Sequence, residues 1–305
     1  MRKPMLVILA AGLGNRFGGG SAKQIAPVDG DGHIMMEFSM YDAMRAGFTD
    51  VVCVIREDME ADFHAQVGAR AAKFLNLSYA HQRYDMLPVG HTVPVGRDKP
   101  WGTAHAMLCA KALVNGPYAV INADDFYGRD AYARMYGFLS SQRAETEYAM
   151  VGYTIEKVVT ESGSVSRGVC EVSPDGMLTA IYERTRIFKR SDGAAYTEDG
   201  EHFVPLPKGT VVSMNIWGFQ RSMMEAMETL FAAFLRREVP KDPLRAEYYL
   251  PTAVSRLLKR RKATVCVLET DGAWYGVTYR QDLPAVQTAI ARMKRAGIYP
   301  SKLWE

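Results

Sequence analysis

The stretch LVILAAGLGNRFGGGSAKQIAPV, residues 6–28, decides how the rest of the chain is read. Met5 to Leu9 is a continuous apolar run, the length of a central parallel strand and far short of a membrane span. Gly12, Gly14, Gly18, Gly19 and Gly20 follow. Glycine takes positive φ without steric cost and lets a backbone approach a ligand closely. Successive N–H groups in such a loop can converge into an anion-binding nest, and Arg16 and Lys23 add positive charge to it. A polyphosphate fits that combination. Neither standard glycine loop matches. Phe17 stands where a dinucleotide fingerprint needs its third glycine, and no Lys-Ser or Lys-Thr closes a P-loop.

Outward from the loop, Met36 to Phe48 reads as a helix, Val51 to Ile55 as a strand, Glu57 to Leu75 as an amphipathic helix and Leu77 to Gln82 as a strand. Residues 83–101, with Pro88, Pro94 and Pro100, form a loop long enough to be functional or mobile. A helix from Gly102 to Leu113 leads to the strand Tyr118 to Ala123, which runs into Asp124 and Asp125. A helix near Asp130 to Ser141 and a strand from Tyr148 to Ile155 follow. This alternation predicts an α/β fold: a doubly wound, mostly parallel, Rossmann-like sheet with a smaller substrate-side β lobe. Ligands in such sheets bind outside the carboxyl ends of the strands. The glycine loop, Gln82 and Asp124 therefore belong on one edge.

The second half carries a hairpin signal at Ser173-Pro174-Asp175-Gly176, between the strands Val169–Val172 and Leu178–Glu183. Residues 187–209 are polar and aperiodic and predict a mobile flap. A strand is expected at Val211–Phe219, helices at Met223–Arg237 and about Leu244–Lys259, strands at Ala263–Leu268 and Trp274–Tyr279, and a closing helix at Leu283–Ala296. No linker is visible. The expectation is a single domain over residues 1–305, with a nucleotide-binding half at about 1–145 and a substrate half at about 146–305.

Composition narrows the partners. A net charge of +3 over 305 residues argues for neither a nucleic-acid nor a membrane partner. Cys53, Cys109, Cys170 and Cys266 are isolated in apolar runs without metal-ligand spacing, as expected of reduced core thiols in a cytoplasmic protein. Arg2 and Lys3 precede an apolar run that ends in a glycine loop instead of a cleavage site, so no signal peptide is expected.

Two further clusters can carry chemistry. Asp124 and Asp125 at a strand's end can hold a divalent cation, although a turn or helix-cap aspartate looks the same. Trp101-Gly102-Thr103-Ala104-His105-Ala106 opens a helix where backbone and hydroxyl contacts could read a base, with Gln82 supplying a side-chain amide. His105 reads as a packed residue rather than a catalyst. The run Lys259-Arg260-Arg261-Lys262 reads as a solvated helix end.

These residues resemble the sugar-1-phosphate nucleotidylyltransferases, the nucleoside-triphosphate transferases that make nucleotide-sugars. Leu9 to Lys23 is similar to their L-x-x-G-x-G-x-R…K signature, WGTAHA at 101–106 to their G-T-A/G-H-A element, and Ala123-Asp124 to their G-D metal element. The resemblance implies that Leu9, Ala10, Ala11, Gly12 and Gly14, with Gln82, Gly102 and Thr103, hold the nucleoside. It implies that Arg16 and Lys23 are catalytic, binding the triphosphate and stabilising charge at the α-phosphorus, and that Asp124 holds Mg²⁺. Gly168, Glu183 and Asn215 resemble the family's sugar-contacting residues. One departure stands out. The late strand that supplies a second metal ligand in the family is Trp274-Tyr275-Gly276-Val277-Thr278-Tyr279 here, with no carboxylate or amide. Thr278, Asp271 or water is left to take that place.

The implied activity is transfer of a nucleoside monophosphate to a sugar-1-phosphate with release of pyrophosphate, UTP being favoured over dTTP and CTP. Two alternatives stay open. One is a cytidylyltransferase acting on a non-sugar alcohol phosphate, suggested by the Lys23-Gln24 step. The other is a catalytically silent nucleotide-sugar-binding regulator, suggested by the missing late carboxylate. A homo-oligomer is also left open.

Overall fold

In the computed structural model, which describes residues 2–12, 26–160, 163–276 and 282–305, the opening apolar run becomes β1 (Met5–Leu9) in the middle of the sheet. The first half continues with α1 (Met35–Ala46), β2 (Asp50–Ile55), a segmented helix, β3 (Asn76–His81), α4 (Thr103–Cys109), β4 (Tyr118–Asn122), β5 (Asp125–Phe126), α5 (Arg129–Ser140) and β6 (Glu147–Thr154). The segmented helix consists of α2 (Glu60–Phe63), a π turn at His64–Gly68 and α3 (Ala69–Ala71). The second half supplies β7 (Val165–Val172), β8 (Leu178–Arg190), β9 (Gly193–Tyr196), β10 (Val204–Pro207), β11 (Val211–Phe219), α6 (Ser222–Arg237), α7 (Leu250–Lys259), β12 (Thr264–Glu269), β13 (Tyr275–Gly276) and α8 (Leu283–Arg295).

β1 lies parallel between β2 and β4, with Leu6 opposite Val51 and Ala119. The core order is β3-β2-β1-β4-β11-β6-β12, in which β11 alone runs antiparallel to its neighbours. Both faces are covered, as the continuous apolar strands require. Leu6 and Ile8 point into one core layer with Phe38 of α1 and Met135 of α5. Met5 and Val7 point into the other with Met107 of α4, Met227 of α6 and Val254 of α7. This is the period of two expected of a pleated strand. A doubly wound sheet of this kind is what the strand–helix alternation predicts.

The second half branches from β11. Its first residues pair with β7, Val212 opposite Val169 and Ser213 opposite Gly168, and β8, β9 and β10 extend that arm antiparallel. Its last residues pair with β4, Trp217 opposite Val120. Between them the register shifts, and Asn215 takes φ 64. Asparagine tolerates that left-handed region better than most residues.

Three expectations need correcting. The flap expected at 187–209 is mostly strand: β8 runs on to Arg190, and β9 and β10 complete the arm. Only Leu178, Ile181 and Ile187 of β8 are buried, and most of its charged residues face solvent and hide the alternation. Edge strand β10, Val-Pro-Leu-Pro, carries two prolines that withhold N–H groups from further pairing. The helix expected from Leu244 begins at Leu250. Ahead of it Tyr248 N donates to Trp101 O at 2.6 Å and Tyr248 O accepts from Ala104 N at 3.0 Å, which holds that segment extended against α4. The single helix expected at 57–75 is interrupted by the π turn at His64–Gly68, and a Cβ on Gly68 would run into the Tyr79 hydroxyl. Among the described residues, no helix is long and apolar enough to cross a membrane.

Candidate active site

Ala10, Gln82 and Ala123 each follow the carboxyl end of a parallel strand, so the expected ligand edge exists. Sheet pairing continues past the strand ends there: Ala10 N donates to Val54 O at 2.8 Å and Ala123 N to Leu9 O at 3.1 Å. Leu9 and Ala10 are thus tied into the sheet, and the open backbone begins at Ala11 and Gly12. Gly14, Arg16, Lys23 and Thr278 lie outside the described residues.

Two clefts open along this edge. The first, of 760 Å³, is lined by Ala11, Gly12, Gln82 and Pro100 among others. Its rim carries the ion pairs Arg56–Asp58 and Arg83–Asp85, each 2.7 Å. One wall is the loop 83–101, which is pinned. The Arg97 guanidinium donates to Lys99 O, Pro100 O, Pro243 O and Ala246 O at 2.8–3.1 Å and lies 3.6 Å from the Trp101 ring centroid. Trp101 Nε1 donates to Tyr84 O at 2.7 Å. His105 is buried, with Nε2 donating to Met86 O at 3.0 Å; desolvation lowers its pKa. It acts as a packing residue, as its sequence setting suggests. Gln82 Nε2 donates to Gly102 O at 3.3 Å.

Gly102 and Thr103 have partners within the protein. Gly102 has φ 96, and a Cβ there would lie 2.8 Å from Tyr248 O. Its glycine is required by the crossing of two backbones. The Thr103 hydroxyl accepts from Leu250 N at 3.0 Å and so caps α7. Thr103 lines the second cleft; neither residue lines the first.

The second cleft, of 460 Å³, gathers Asp124, Asp125, Gly168, Glu183 and Asn215 with Arg167 and Trp274. Residues expected from four separate stretches therefore meet. A hydrogen-bonded chain runs beneath them. Trp217 Nε1 donates to Asn215 Oδ1 at 3.0 Å, Asn215 Nδ2 to Asn122 Oδ1 at 2.7 Å and Asn122 Nδ2 to Asp125 Oδ2 at 2.9 Å. The Tyr127 hydroxyl accepts from Asn122 N at 3.1 Å and lies 3.2 Å from Asp125 Oδ2 and 3.0 Å from Met214 O. Burial, and then the Asp124 charge, raise the Asp125 pKa. Burial likewise raises that of Glu183, opposed by Arg167. Gly168 admits the Ile181 side chain, 2.9 Å from where a Cβ would stand.

The donor set suits Mg²⁺. Asp124 and Asp125 put two hard oxygen donors side by side at one cleft wall. β13 sets Gly276 opposite Asp125, where a Cβ would lie 3.2 Å from Asp125 Oδ1 and 2.4 Å from the Trp274 ring. A side chain at 276 would fill the space beside that carboxylate. Asp271 is fully exposed, pairs with Lys157 at 3.2 Å and lines neither cleft, so it leaves the set. The group Asp29, Asp31 and His33 has its charge met by Lys294, at 2.7 Å from Asp29 and 2.9 Å from Asp31, and also lines neither cleft. Sequence reasoning missed Arg167 and Asn122 as cleft residues. The one signal was a charged residue directly before Gly168.

A doubly wound sheet with a glycine-rich sequence after its first strand and paired aspartates after its fourth is the arrangement expected of an α/β protein that handles nucleotide phosphates. The chain belongs to the nucleotidyl transferase family, which it matches over residues 5–291, and is a nucleotidyltransferase. Its fold is similar to that of UDP-glucose pyrophosphorylase complexed with UDP-glucose (TM-score 0.59, 16% identity, 95% of this chain and 99% of that one). It is also similar to a structure assigned to a glucose-1-phosphate thymidylyltransferase from Bacillus anthracis (TM-score 0.62, 17% identity, 94% and 95%). No curated protein matches the sequence.

Proposed function

We propose that the protein transfers a nucleoside monophosphate from a nucleoside triphosphate, UTP in the first instance, to a sugar-1-phosphate and releases pyrophosphate. An oxygen of the acceptor phosphate attacks the α-phosphorus, the bond from that phosphorus to the bridging oxygen breaks, and pyrophosphate leaves with the electron pair. The acceptor is already ionised, so no protein nucleophile or general base is required. The protein's part is positioning and charge stabilisation.

The observation that carries this reading is the meeting of Asp124, Gly168, Glu183 and Asn215 in one cleft beside the cleft of Ala11, Gly12 and Gln82. The first cleft takes the nucleoside and the second the sugar phosphate. Asp124, with Asp125 beside it, would hold Mg²⁺, which when bound neutralises charge on the phosphates. Arg16 and Lys23 would bind the triphosphate. The Trp217–Asn215–Asn122–Asp125 chain fixes the side chains below the acceptor, so Asn215 positions as much as it binds. Glu183 accepts a sugar hydroxyl. The four free cysteines suit a reducing, cytoplasmic setting. The fold neighbours named for UDP-glucose and glucose-1-phosphate support a hexose-1-phosphate as the first acceptor to try.

The test is pyrophosphate release with UTP, dTTP, CTP, ATP and GTP against hexose-1-phosphates and alcohol phosphates. UTP with a hexose-1-phosphate is expected to lead. CTP with an alcohol phosphate as the sole active pair would make the protein a cytidylyltransferase of another pathway class. Tight nucleotide-sugar binding with no pyrophosphate released by any pair would make it a silent binder.

A further inference from the structure

Arg167 is a cation on the acceptor side without a part in the chemistry so far. It comes from β7, next to Gly168, and lines the cleft of Asp124, Glu183 and Asn215. Its Nε and Nη2 donate to Val158 O at 3.2 and 2.7 Å, and Nη1 donates to Ser166 O at 2.8 Å. The guanidinium lies over Trp274, 4.7 Å from the ring centroid. A guanidinium has five N–H donors, so these bonds leave one N–H on each of Nη1 and Nη2. Asp125 and Glu183 act on its charge through space. Among the described residues, neither makes a hydrogen bond or close ion pair with it.

Arg56, Arg70 and Arg83, by contrast, each meet a carboxylate at 2.7 Å. Arg97 is also held by carbonyls, but it lines neither cleft. Among the described arginines that line the two clefts, Arg167 is therefore the half-buried one that the fold fixes with backbone oxygens and an aromatic face instead of a carboxylate. Its rotamer is set before a ligand arrives, which lowers the ordering cost of binding. Two N–H groups on one planar fork match two oxygens of a phosphate or carboxylate.

We propose that Arg167 binds an oxyanion of the acceptor, its phosphate or an acid group on the sugar, and so sets acceptor affinity without contacting the nucleoside triphosphate. The proposal rests on the transferase reading above. Arg167 also ties β7 to the turn at Val158, and a purely structural tether is the outcome that must be separated from it.

Arg167→Gln, Arg167→Lys and Arg167→Ala are compared with the wild type in steady state, using the best pair from the pyrophosphate screen. At saturating nucleoside triphosphate, the acceptor KM of the Gln variant is expected to rise at least ~10-fold, the scale of a lost charged hydrogen bond. The KM for the triphosphate stays unchanged, and the Lys variant falls between. Added guanidinium ion, kept below denaturing concentration, restores acceptor affinity to the Ala variant. A rise with both a hexose-1-phosphate and a hexuronic acid 1-phosphate assigns the phosphate; a rise with the second alone assigns the acid group. An unchanged acceptor KM overturns the proposal, and so does a parallel rise of both KM values with a lower Tm and no guanidinium rescue. If the wild type turns over no pair, the transferase reading has failed by itself. Arg167 is then judged by calorimetric titration with glucose 1-phosphate. Weaker binding in the Gln variant at equal Tm supports it; equal binding, or none in the wild type, overturns it.

Discussion

Replacing Gly102 with alanine is expected to weaken the ligand-free protein rather than nucleotide binding first. The backbone there has φ 96, and the added Cβ would lie 2.8, 3.0 and 3.2 Å from Tyr248 O, N and C. A positive φ costs a non-glycine residue about 1–2 kcal/mol. Overpacking adds about 1–3 kcal/mol, because the atoms in the way are backbone and cannot rotate aside. The two together give about 2–5 kcal/mol. At about 2 °C per kcal/mol for a chain of this size, Tm falls by roughly 4–10 °C. Thermal melting by circular dichroism without ligand measures it, and steady-state kinetics below both transitions gives the KM for the triphosphate. A Tm within about 2 °C of the wild type, combined with a raised KM, would show that the glycine serves the ligand and that the packing argument is wrong.

Arg97→Ala removes four hydrogen bonds to carbonyls and the stack on Trp101. A stability loss of about 3 kcal/mol or more is expected, with a raised triphosphate KM because the loop it pins walls the first cleft; urea melts and kinetics check both. Asp42 is buried, accepts from the Tyr299 hydroxyl at 2.6 Å, and burial raises its pKa from 3.8 to about 7. A raised acid favours the folded state while protonated. That stability is complete below pH 3.8 and is lost as pH rises through about 7. Asp42→Asn is therefore expected to raise Tm at pH 8 and to gain progressively less toward pH 4, which melting curves across that range would show. Lys23→Ala is expected to lower kcat/KM at least ~100-fold, the scale of a lost contact to transition-state charge, with Tm unchanged.

The strands were legible where both faces are buried. Met5–Leu9 and Tyr118–Asn122 read as unbroken apolar runs because α1 and α5 cover one side and α4, α6 and α7 the other. The convergence of Asp124, Gly168, Glu183 and Asn215 was legible only through the family resemblance, since they are far apart in sequence and no spacing joins them. The first half of β8 was legible from its hairpin turn, but its extension to Arg190 and the short strands β9 and β10 were not, because the extension is mostly polar and solvent-facing and β9 and β10 are only four residues each. The packing role of Gly102 and the capping role of Thr103 were not legible, because the partner of each lies nearly 150 residues away, in the backbone of Tyr248 and Leu250. Arg97 and Arg167 are fixed by carbonyl oxygens, which every residue carries, so their partners leave no mark in residue type.

Asp124, at the carboxyl end of β4 in the second cleft, is proposed to serve nucleotidyl transfer to a sugar phosphate. The direct measurement is kcat/KM for pyrophosphate release from UTP and a hexose-1-phosphate in Mg²⁺, wild type against Asp124→Asn, with Tm measured alongside. A loss of at least ~100-fold at unchanged Tm is the predicted result. Near wild-type turnover in the variant would remove Asp124 from the reaction.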